Sequence, residues 1–358
     1  MASVPALRAL PPFVAMTAAV AGWLPASAPA APCGRSVRAA FRLVEARLTR
    51  FDPHSELNRL CAAGGGTASP VLFRALTTAA RAWRRTGGRF DPRVRADLEA
   101  LGYGRRLRFG TRRPRVALTA RALQLRARRP FDPAAPWLAV AWPVGSARQP
   151  RAALQRPGVR AAIRRPHRLR LWGGPLDLGG IGKGLALRGA VRALRSRLDR
   201  AERRLPQGRS FGPCGPGRTV APGFLLDAGG DIYAEGPGPD GGGWPIGVAG
   251  PGGAAVAVLR VAGRAVCTSS RGRRAWDAGG ERVHHLIDPK SGLPAGGGLW
   301  SVTVVGRDPA WAEVWSKALF VAGPAAPALA EARGLAALLV LADGRVVASA
   351  RGQTYLRG

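Results

Sequence analysis

The segment that most restricts the fold is 176–184, LDLGGIGKG, which joins a predicted strand to a predicted helix. The strand is predicted over 169–178, and the sequence LALRGAVRALRSRL that follows has the apolar spacing of a helix. Glycine lets the backbone approach a ligand closely, and the N-terminus of a helix offers unpaired N–H groups that favour a phosphate. Asp177 and Lys183 in the same turn favour a phosphate-bearing ligand over a plain tight turn.

The spacing of these glycines differs from that of a Walker loop and from the dinucleotide-binding GxGxxG fingerprint. A strand-to-helix turn without a ligand therefore stays the alternative. The four glycines stand at positions 179, 180, 182 and 184.

The rest of the chain mixes helices and strands. An amphipathic helix is predicted over 36–50. Further helices are predicted over about 71–86 and 309–322, and several strands after residue 223. Because the elements show no strict βαβ repetition, the sequence predicts an α+β fold in a single large domain, 1–358. The Arg- and Pro-rich stretch 105–170 is predicted to be a variable, partly irregular insertion with a few short strands, and 200–222 a loop.

The N-terminal region has two interpretations. Residues 9–28 are apolar and imitate a secretory signal, but Pro11, Pro12 and Gly22 argue against a long helical core. A strand with an edge turn fits equally well, and we expect an uncleaved N-terminus. No later segment has the length and apolarity of a membrane span. A cytoplasmic location is favoured, and the cell envelope is the alternative.

Composition gives a misleading first impression of the partner. Lys+Arg 55 against Asp+Glu 21 gives a formal charge of +34, which ordinarily suggests nucleic acid or an anionic substrate. Nearly all of this charge is dispersed arginine, typical of the codon bias of a GC-rich genome, whereas a nucleic-acid groove gathers basic and aromatic residues. We therefore expect no nucleic acid as partner, although a basic nucleic-acid-binding protein stays a remote alternative.

The cysteines at 33, 61, 214 and 267 lack metal-site spacing and are predicted to be free thiols.

Two further motifs carry groups capable of chemistry. In the first, 227–231 (DAGGD), Asp231 could hold a ribose or adenine group, orient Lys183 or cap a turn. In the second, 284–292 (HHLIDPKSG), an extended chain would put His285 and Ile287 on one face. A histidine at a strand end is competent as a general base, and a structural histidine is the alternative.

Taken in order, these segments resemble the motifs of the ApbE flavin transferase family. The resemblance covers most of the chain from residue 36 onwards and leaves 105–170 and 200–222 unassigned. Met16 and Thr17 resemble a degraded form of the family's N-terminal Met-Gly-Thr. The matching segments are FDPHSELNRL at 51–60, GRFDP at 88–92, DLGGIGKG at 177–184, GGD at 229–231, Thr268-Ser269 and HLIDPKSG at 285–292.

The resemblance implies a T-fold-like α+β domain and a Mg²⁺-dependent FAD:protein FMN transferase. Such an enzyme attaches FMN through a phosphoester to a Ser or Thr of an acceptor protein and releases AMP. The resemblance assigns Lys183 and His285 to catalysis. It assigns contacts with FAD to Ser55, Glu56, Phe90, Asp91, Asp177, Gly179, Gly180, Lys183, Gly184, Asp231, Thr268, His285 and Asp288.

The predicted metal site departs from the family pattern. Family members carry an Asp and, four residues later, a Thr on one helix face, with a backbone carbonyl of the glycine motif, here Gly182, as a third ligand. This chain has Glu313 and Lys317 at the two helical positions. Either Mg²⁺ binds with one protein ligand fewer, or the Lys317 ammonium takes the place of a cation. The second outcome would fit a relative that binds or hydrolyses FAD without transferring FMN.

Overall fold

The computed structural model describes residues 6–104, 107, 109, 113–117, 132–141, 167–203 and 223–356. The strands, in chain order, are β1 Leu7–Ala15, β2 Ala18–Pro25, β3 Gly65–Ala68, β4 Arg115–Val116, β5 Leu138–Ala141, β6 His167–Leu171, β7 Phe224–Ala228, β8 Asp231–Glu235, β9 Trp244–Ala249, β10 Ala255–Val261, β11 Arg264–Ser270, β12 Ala275–Ala278, β13 Glu281–His284, β14 Leu299–Gly306, β15 Ala336–Leu341 and β16 Val346–Ala348. The helices are α1 Ala30–Leu48, α2 Glu56–Ala62, α3 Pro70–Arg85, α4 Arg95–Ala100, α5 Gly179–Glu202, α6 Pro309–Ala322, α7 Ala326–Ala332 and α8 Ala350–Gln353.

The fold is organised by an eight-stranded sheet of order β1-β2-β7-β8-β11-β14-β15-β16. Every neighbouring pair in it is antiparallel. β14 is buried along nearly its whole length, whereas β9 outside this sheet alternates buried and exposed residues. The central sheet is therefore covered on both faces, because only a strand packed on both sides lacks the alternation of buried and exposed residues.

Helices α1, α5 and α6 cover one face of the sheet, and α6 packs directly on β11 and β14. Phe41, Leu187, Val302 and Leu319 are fully buried in the core between these layers. On the opposite face, the hairpin β9-β10 supplies Trp244, Ile246 and Leu259 to a second cluster that includes Val266 and Leu338. The predicted α+β class is confirmed.

Several boundaries differ from the sequence-based predictions. The first helix spans Ala30–Leu48 instead of 36–50, and the second spans Pro70–Arg85, one residue from its prediction. Helix Pro309–Ala322 coincides with its predicted range. Helix Glu56–Ala62 was not predicted, since it is too short to show a periodic pattern.

The N-terminal residues in the described part of the chain form a β-hairpin, β1-β2, at the edge of the large sheet. Pro11 and Pro12 lie where the register shifts between Leu10 and Phe13, as expected of proline on an edge strand. The turn is strained, because Met16 and Thr17 have φ of 52° and 60°, values that residues other than glycine rarely adopt.

Other predictions are tested only in part. The predicted insertion 105–170 contributes β4, β5 and the start of β6, and its remaining residues lie largely outside the described ranges, as do 204–222. Cys33, Cys61 and Cys267 are free thiols as predicted, whereas Cys214 lies outside the described ranges. Within the described ranges, no helix combines the length and apolarity that a bilayer crossing requires.

Candidate functional site

A cavity of about 430 Å³ opens where the β1-β2 turn, the start of α5, the end of β11 and one face of α6 meet. Most of the residues singled out from the sequence reach its wall. They include Phe90, Asp91, Asp177, Gly179, Gly180, Lys183, Thr268, His285, Glu313 and Lys317.

The glycine motif forms the first turns of a helix instead of a loop before it. Helix α5 begins at Gly179, two residues after Asp177, and its N-cap residue Leu178 makes no side-chain cap. Asp177 instead accepts the Gly179 N–H through Oδ1 at 2.6 Å. Gly179 and Gly180 face the cavity, so the positive end of this helix points at any ligand bound there.

Close packing explains two of the glycines. A Cβ on Gly184 would lie 2.6 Å from Ala310 Cα and 2.7 Å from the Pro309 carbonyl oxygen, so glycine is what lets α5 touch α6. A Cβ on Gly182 would lie 2.6 Å from Met16 Cε. Gly182, the predicted carbonyl ligand of a metal, is buried and is not among the residues that line the cavity.

We expect Gly184→Ala to lower the free energy of unfolding by about 1 to 3 kcal/mol, because the backbone of α6 would have to move. Gly189→Ala in the same helix is the matched control. Its Cβ would meet only Ala40 Cβ, at 3.7 Å, and alanine favours a helix over glycine by up to about 1 kcal/mol. Urea unfolding followed by circular dichroism measures both, and a G184A variant as stable as G189A would contradict the close-contact argument.

Lys183 and Asp231 form an ion pair at the cavity wall, Nζ to Oδ2. Asp231 is buried at the start of β8, directly after the Gly229-Gly230 turn. Burial would raise the pKa of the Asp231 carboxyl, but the ammonium groups of Lys183 and Lys317 outweigh it and hold the pKa below 3.8. Asp231 therefore stays ionised and positions Lys183, one of the three roles considered for it.

Glu313 and Lys317 form a second pair one helical turn apart on α6. Lys317 Nζ donates to Glu313 Oε1 at 3.1 Å, and the Gly184 N–H donates to Oε2 at 2.7 Å. The Glu313 side chain is fully buried. Burial raises the pKa of Glu313 above its ordinary value of 4.5, and the attraction of Lys317 offsets this only in part.

His285 lies just past the end of β13, so the predicted strand stops one residue before it. The residue is half-buried, it lines the cavity, and its Nδ1 has no hydrogen-bond partner among the described residues. Burial, then the nearby Arg274 and Lys317 charges, hold the pKa of His285 well below 6.5. The imidazole is therefore neutral near pH 7 and able to accept a proton.

Thr268 contributes a hydroxyl on β11 that shares a hydrogen bond with Thr303 Oγ1 at 2.9 Å. The next residue, Ser269, is hydrogen-bonded to Ser316 at 2.8 Å, which ties β11 to α6. Thr268 therefore lines the cavity, and its hydroxyl is hydrogen-bonded to the neighbouring strand β14.

Three predicted contact residues have their carboxylate or hydroxyl engaged elsewhere. Ser55 caps α2 by accepting the Asn58 N–H at 3.1 Å, and Glu56 accepts the Ser69 hydroxyl at 2.7 Å. Asp288 accepts the Lys290 N–H at 2.9 Å in a turn. None of these three lines the cavity, and their contact with a ligand stays a prediction.

Asp91 does reach the wall together with Phe90, but its buried carboxylate pairs with Arg93 at 2.6 Å. Phe90 packs where Gly180 leaves room, since a Cβ there would lie 3.1 Å from Phe90 Cε2. Asp91 thus supports the wall through Arg93, while Phe90 offers an aromatic surface to the cavity.

Arg50 is a residue of the cavity wall that the sequence analysis did not single out. Its buried guanidinium lies 4.3 Å from the Phe51 ring centre and 4.7 Å from that of Tyr103, and its Nε pairs with Asp177 at 2.9 Å. All four residues line the cavity. The general excess of arginine hid Arg50, and its position directly before the FDPHSELNRL motif was the available signal.

Comparison with protein families gives one extended match. A family model described as the ApbE family matches residues 16–200 and 219–339.

Curated relatives of the chain bear the name FAD:protein FMN transferase. Those of Klebsiella pneumoniae and Escherichia coli are each 30% identical over 125 residues, which is 34% of this chain and 36% of theirs. That of Treponema pallidum is 34% identical over 112 residues, 30% of this chain and 31% of its own. The chain thus spans about a third of the length of the curated relatives it matches.

Solved structures resemble the fold over its whole length. The ApbE protein of Thermotoga maritima aligns with a TM-score of 0.74 at 21% identity, covering 99% of this chain and 100% of that chain. The flavinyl transferase ApbE of Pseudomonas stutzeri gives 0.70 at 20% identity, covering 99% and 98%. At such identities the likeness establishes the fold alone.

Proposed function

Because this chain belongs to the ApbE family, we propose that it is an FAD:protein FMN transferase that moves FMN from FAD to a Ser or Thr of an acceptor protein. The observation that carries the proposal is the convergence of a helix N-terminus, two lysines and a neutral histidine on one cavity. These are the groups that binding a pyrophosphate and deprotonating a hydroxyl require.

The proposed FAD site has a polar and an aromatic side. Gly179, Gly180 and Lys183 suit the pyrophosphate, since backbone N–H groups and an ammonium offset its negative charge. Phe51, Phe90, Tyr103 and Phe109 supply aromatic surface for the isoalloxazine ring on the same cavity wall. Phe90 was expected from the sequence to contact the flavin, and the other three aromatic residues add to that expectation.

In the proposed reaction, the acceptor hydroxyl oxygen forms a bond to the phosphorus that carries the riboflavin part. The bond from that phosphorus to the AMP oxygen breaks, and AMP leaves. His285, which lines the cavity and is kept neutral by its lowered pKa, takes the hydroxyl proton. Lys183, oriented by Asp231, stabilises the negative charge that builds up on the phosphate oxygens.

Family resemblance also implies Mg²⁺, which takes oxygen ligands in near-octahedral geometry, usually from one or two carboxylates and substrate phosphates. Both Glu313 oxygens are engaged, by Gly184 and by Lys317, and Asp231 is paired with Lys183. Within the described ranges, no three His, Cys, Asp or Glu side chains group together as metal ligands. The residues do not fit a protein-held Mg²⁺, so no step of the proposed reaction is assigned to the metal.

The proposed function is tested by incubating the protein with FAD and a peptide that bears a candidate Thr or Ser. Mass spectrometry should detect the peptide gaining one FMN phosphoester while AMP appears in equal amount. Release of FMN and AMP without a modified peptide would favour hydrolysis of FAD instead. The acceptor and the cytoplasmic compartment stay predictions from the sequence.

We expect the protein to bind FAD at least about tenfold more tightly than FMN or riboflavin, because only FAD presents a pyrophosphate to the charged side of the cavity. Titration followed by flavin fluorescence measures the three affinities. Equal affinity for all three flavins would contradict the assignment of the glycine turn and Lys183 to the pyrophosphate.

A further inference from the structure

The Lys317 ammonium is fixed at the cavity by contacts along its whole side chain. Its Nζ is bonded to the buried Glu313 carboxylate, and the side chain is only 17% exposed. A Cβ on Gly180 would lie 3.4 Å from Lys317 Cδ and 3.6 Å from Cε, so the methylenes cross the backbone of the glycine turn. The ammonium is thereby held beside the turn proposed to receive the pyrophosphate.

Both carboxylate oxygens of Glu313 accept hydrogen bonds. The Gly184 N–H donates to one oxygen and the Lys317 ammonium donates to the other. A divalent cation would have to displace the ammonium to gain a single carboxylate oxygen. The carboxylate of Asp231, whose charge acts on Glu313, is already paired with Lys183. Two lysines and two carboxylates thus form a charge-balanced group in which three of the four carboxylate oxygens are engaged.

We propose that Lys317 acts as a built-in cation, so that the chain binds the pyrophosphate of FAD without a divalent metal. This inference rests on the proposed function and adds to it the source of the positive charge. The pyrophosphate would meet ammonium groups from two helices, Lys183 of α5 and Lys317 of α6, with Glu313 holding the second in place.

The test is FAD affinity, followed by flavin fluorescence, in excess EDTA and in excess Mg²⁺. Wild type should show a Kd that differs by less than about threefold between the two conditions. Lys317→Met should raise the Kd in EDTA about tenfold or more, the effect of losing one hydrogen bond to a charged group. Lys290→Met is the matched control, since Lys290 is exposed and is not itself a residue that lines the cavity. This variant should bind FAD as wild type does.

Two further variants keep the test decisive if removal of Lys317 unfolds the protein by leaving Glu313 unpaired. Lys317→Thr should bind FAD poorly in EDTA and recover with Mg²⁺, because a hydroxyl and a freed carboxylate can ligate the metal. The double variant Lys317→Met with Glu313→Gln carries no unpaired charge, and it should bind poorly in both conditions.

A wild type that loses tenfold or more in affinity on chelation overturns the inference and leaves the proposed function intact. A double variant that binds FAD in EDTA as well as wild type also overturns it. Wild type that binds FAD in neither condition would overturn the proposed function together with the inference.

Discussion

His285→Asn should slow FMN transfer by about 100- to 10,000-fold, the usual contribution of a positioned general base. FAD affinity should change little, since the proposed role of His285 is to accept a proton from the acceptor hydroxyl. The measurement is the initial rate of peptide modification by mass spectrometry, with FAD binding checked by fluorescence. A variant that transfers FMN at the wild-type rate would remove His285 from the mechanism.

His284→Asn is the control for this substitution. His284 precedes His285, but it does not line the cavity, and its Nδ1 accepts the Leu286 N–H at 3.3 Å. Its ring packs edge-on against Phe320, with 5.8 Å between ring centres. We expect this variant to transfer FMN at close to the wild-type rate once it is folded.

The pH dependence of transfer gives a second check on His285. Burial and the Arg274 charge hold its pKa well below 6.5, so the imidazole stays neutral as the pH falls through that value. A base with an ordinary pKa would be half protonated at 6.5 and would lose half of its activity there. A plot of the wild-type transfer rate against pH should therefore show no inflection near pH 6.5. An inflection there that is absent in H285N would contradict the lowered pKa of His285.

Lys183→Ala should weaken FAD binding by about 1.5 to 3 kcal/mol, roughly 10- to 150-fold in Kd, the range for a hydrogen bond to a charged group. Lys183 is the only cationic side chain on the first turns of α5, and it lines the cavity beside Gly179 and Gly180. Fluorescence titration of FAD measures the loss.

Arg345→Ala is the control for Lys183, because Arg345 is a cation whose side chain is 77% exposed and pairs with Asp343 on a surface turn. It should leave FAD affinity unchanged. Lys183→Ala also leaves the buried Asp231 carboxylate without its ion-pair partner, which can destabilise the fold. The double variant Lys183→Ala with Asp231→Asn removes both charges, so it distinguishes a loss of FAD binding from a loss of stability. If that folded double variant binds FAD as tightly as R345A, Lys183 does not contact the pyrophosphate.

Local pattern was sufficient where the determining contacts lie close in sequence. Helix Pro309–Ala322 was predicted at its observed bounds, and Pro70–Arg85 was predicted within one residue. The DAGGD motif identified the β7-β8 turn, and the DLGGIGKG motif identified a helix N-terminus, although α5 begins at Gly179 and not after the glycines. The sequence alone thus determined the α+β class and which short segments carry charged groups.

Tertiary structure decided which partner each of those groups meets. The Lys183 and Asp231 pair joins residues 48 positions apart, and the Gly184 N–H reaches Glu313 across 129 positions. Sheet order and helix packing bring such groups together, and periodicity within one element contains no information on either. For the same reason Ser55 and Glu56, though part of a family-like motif, are engaged in helix capping and side-chain bonds. Arg50, one arginine among many in the sequence, is identified only by the aromatic rings and the Asp177 carboxylate that surround it.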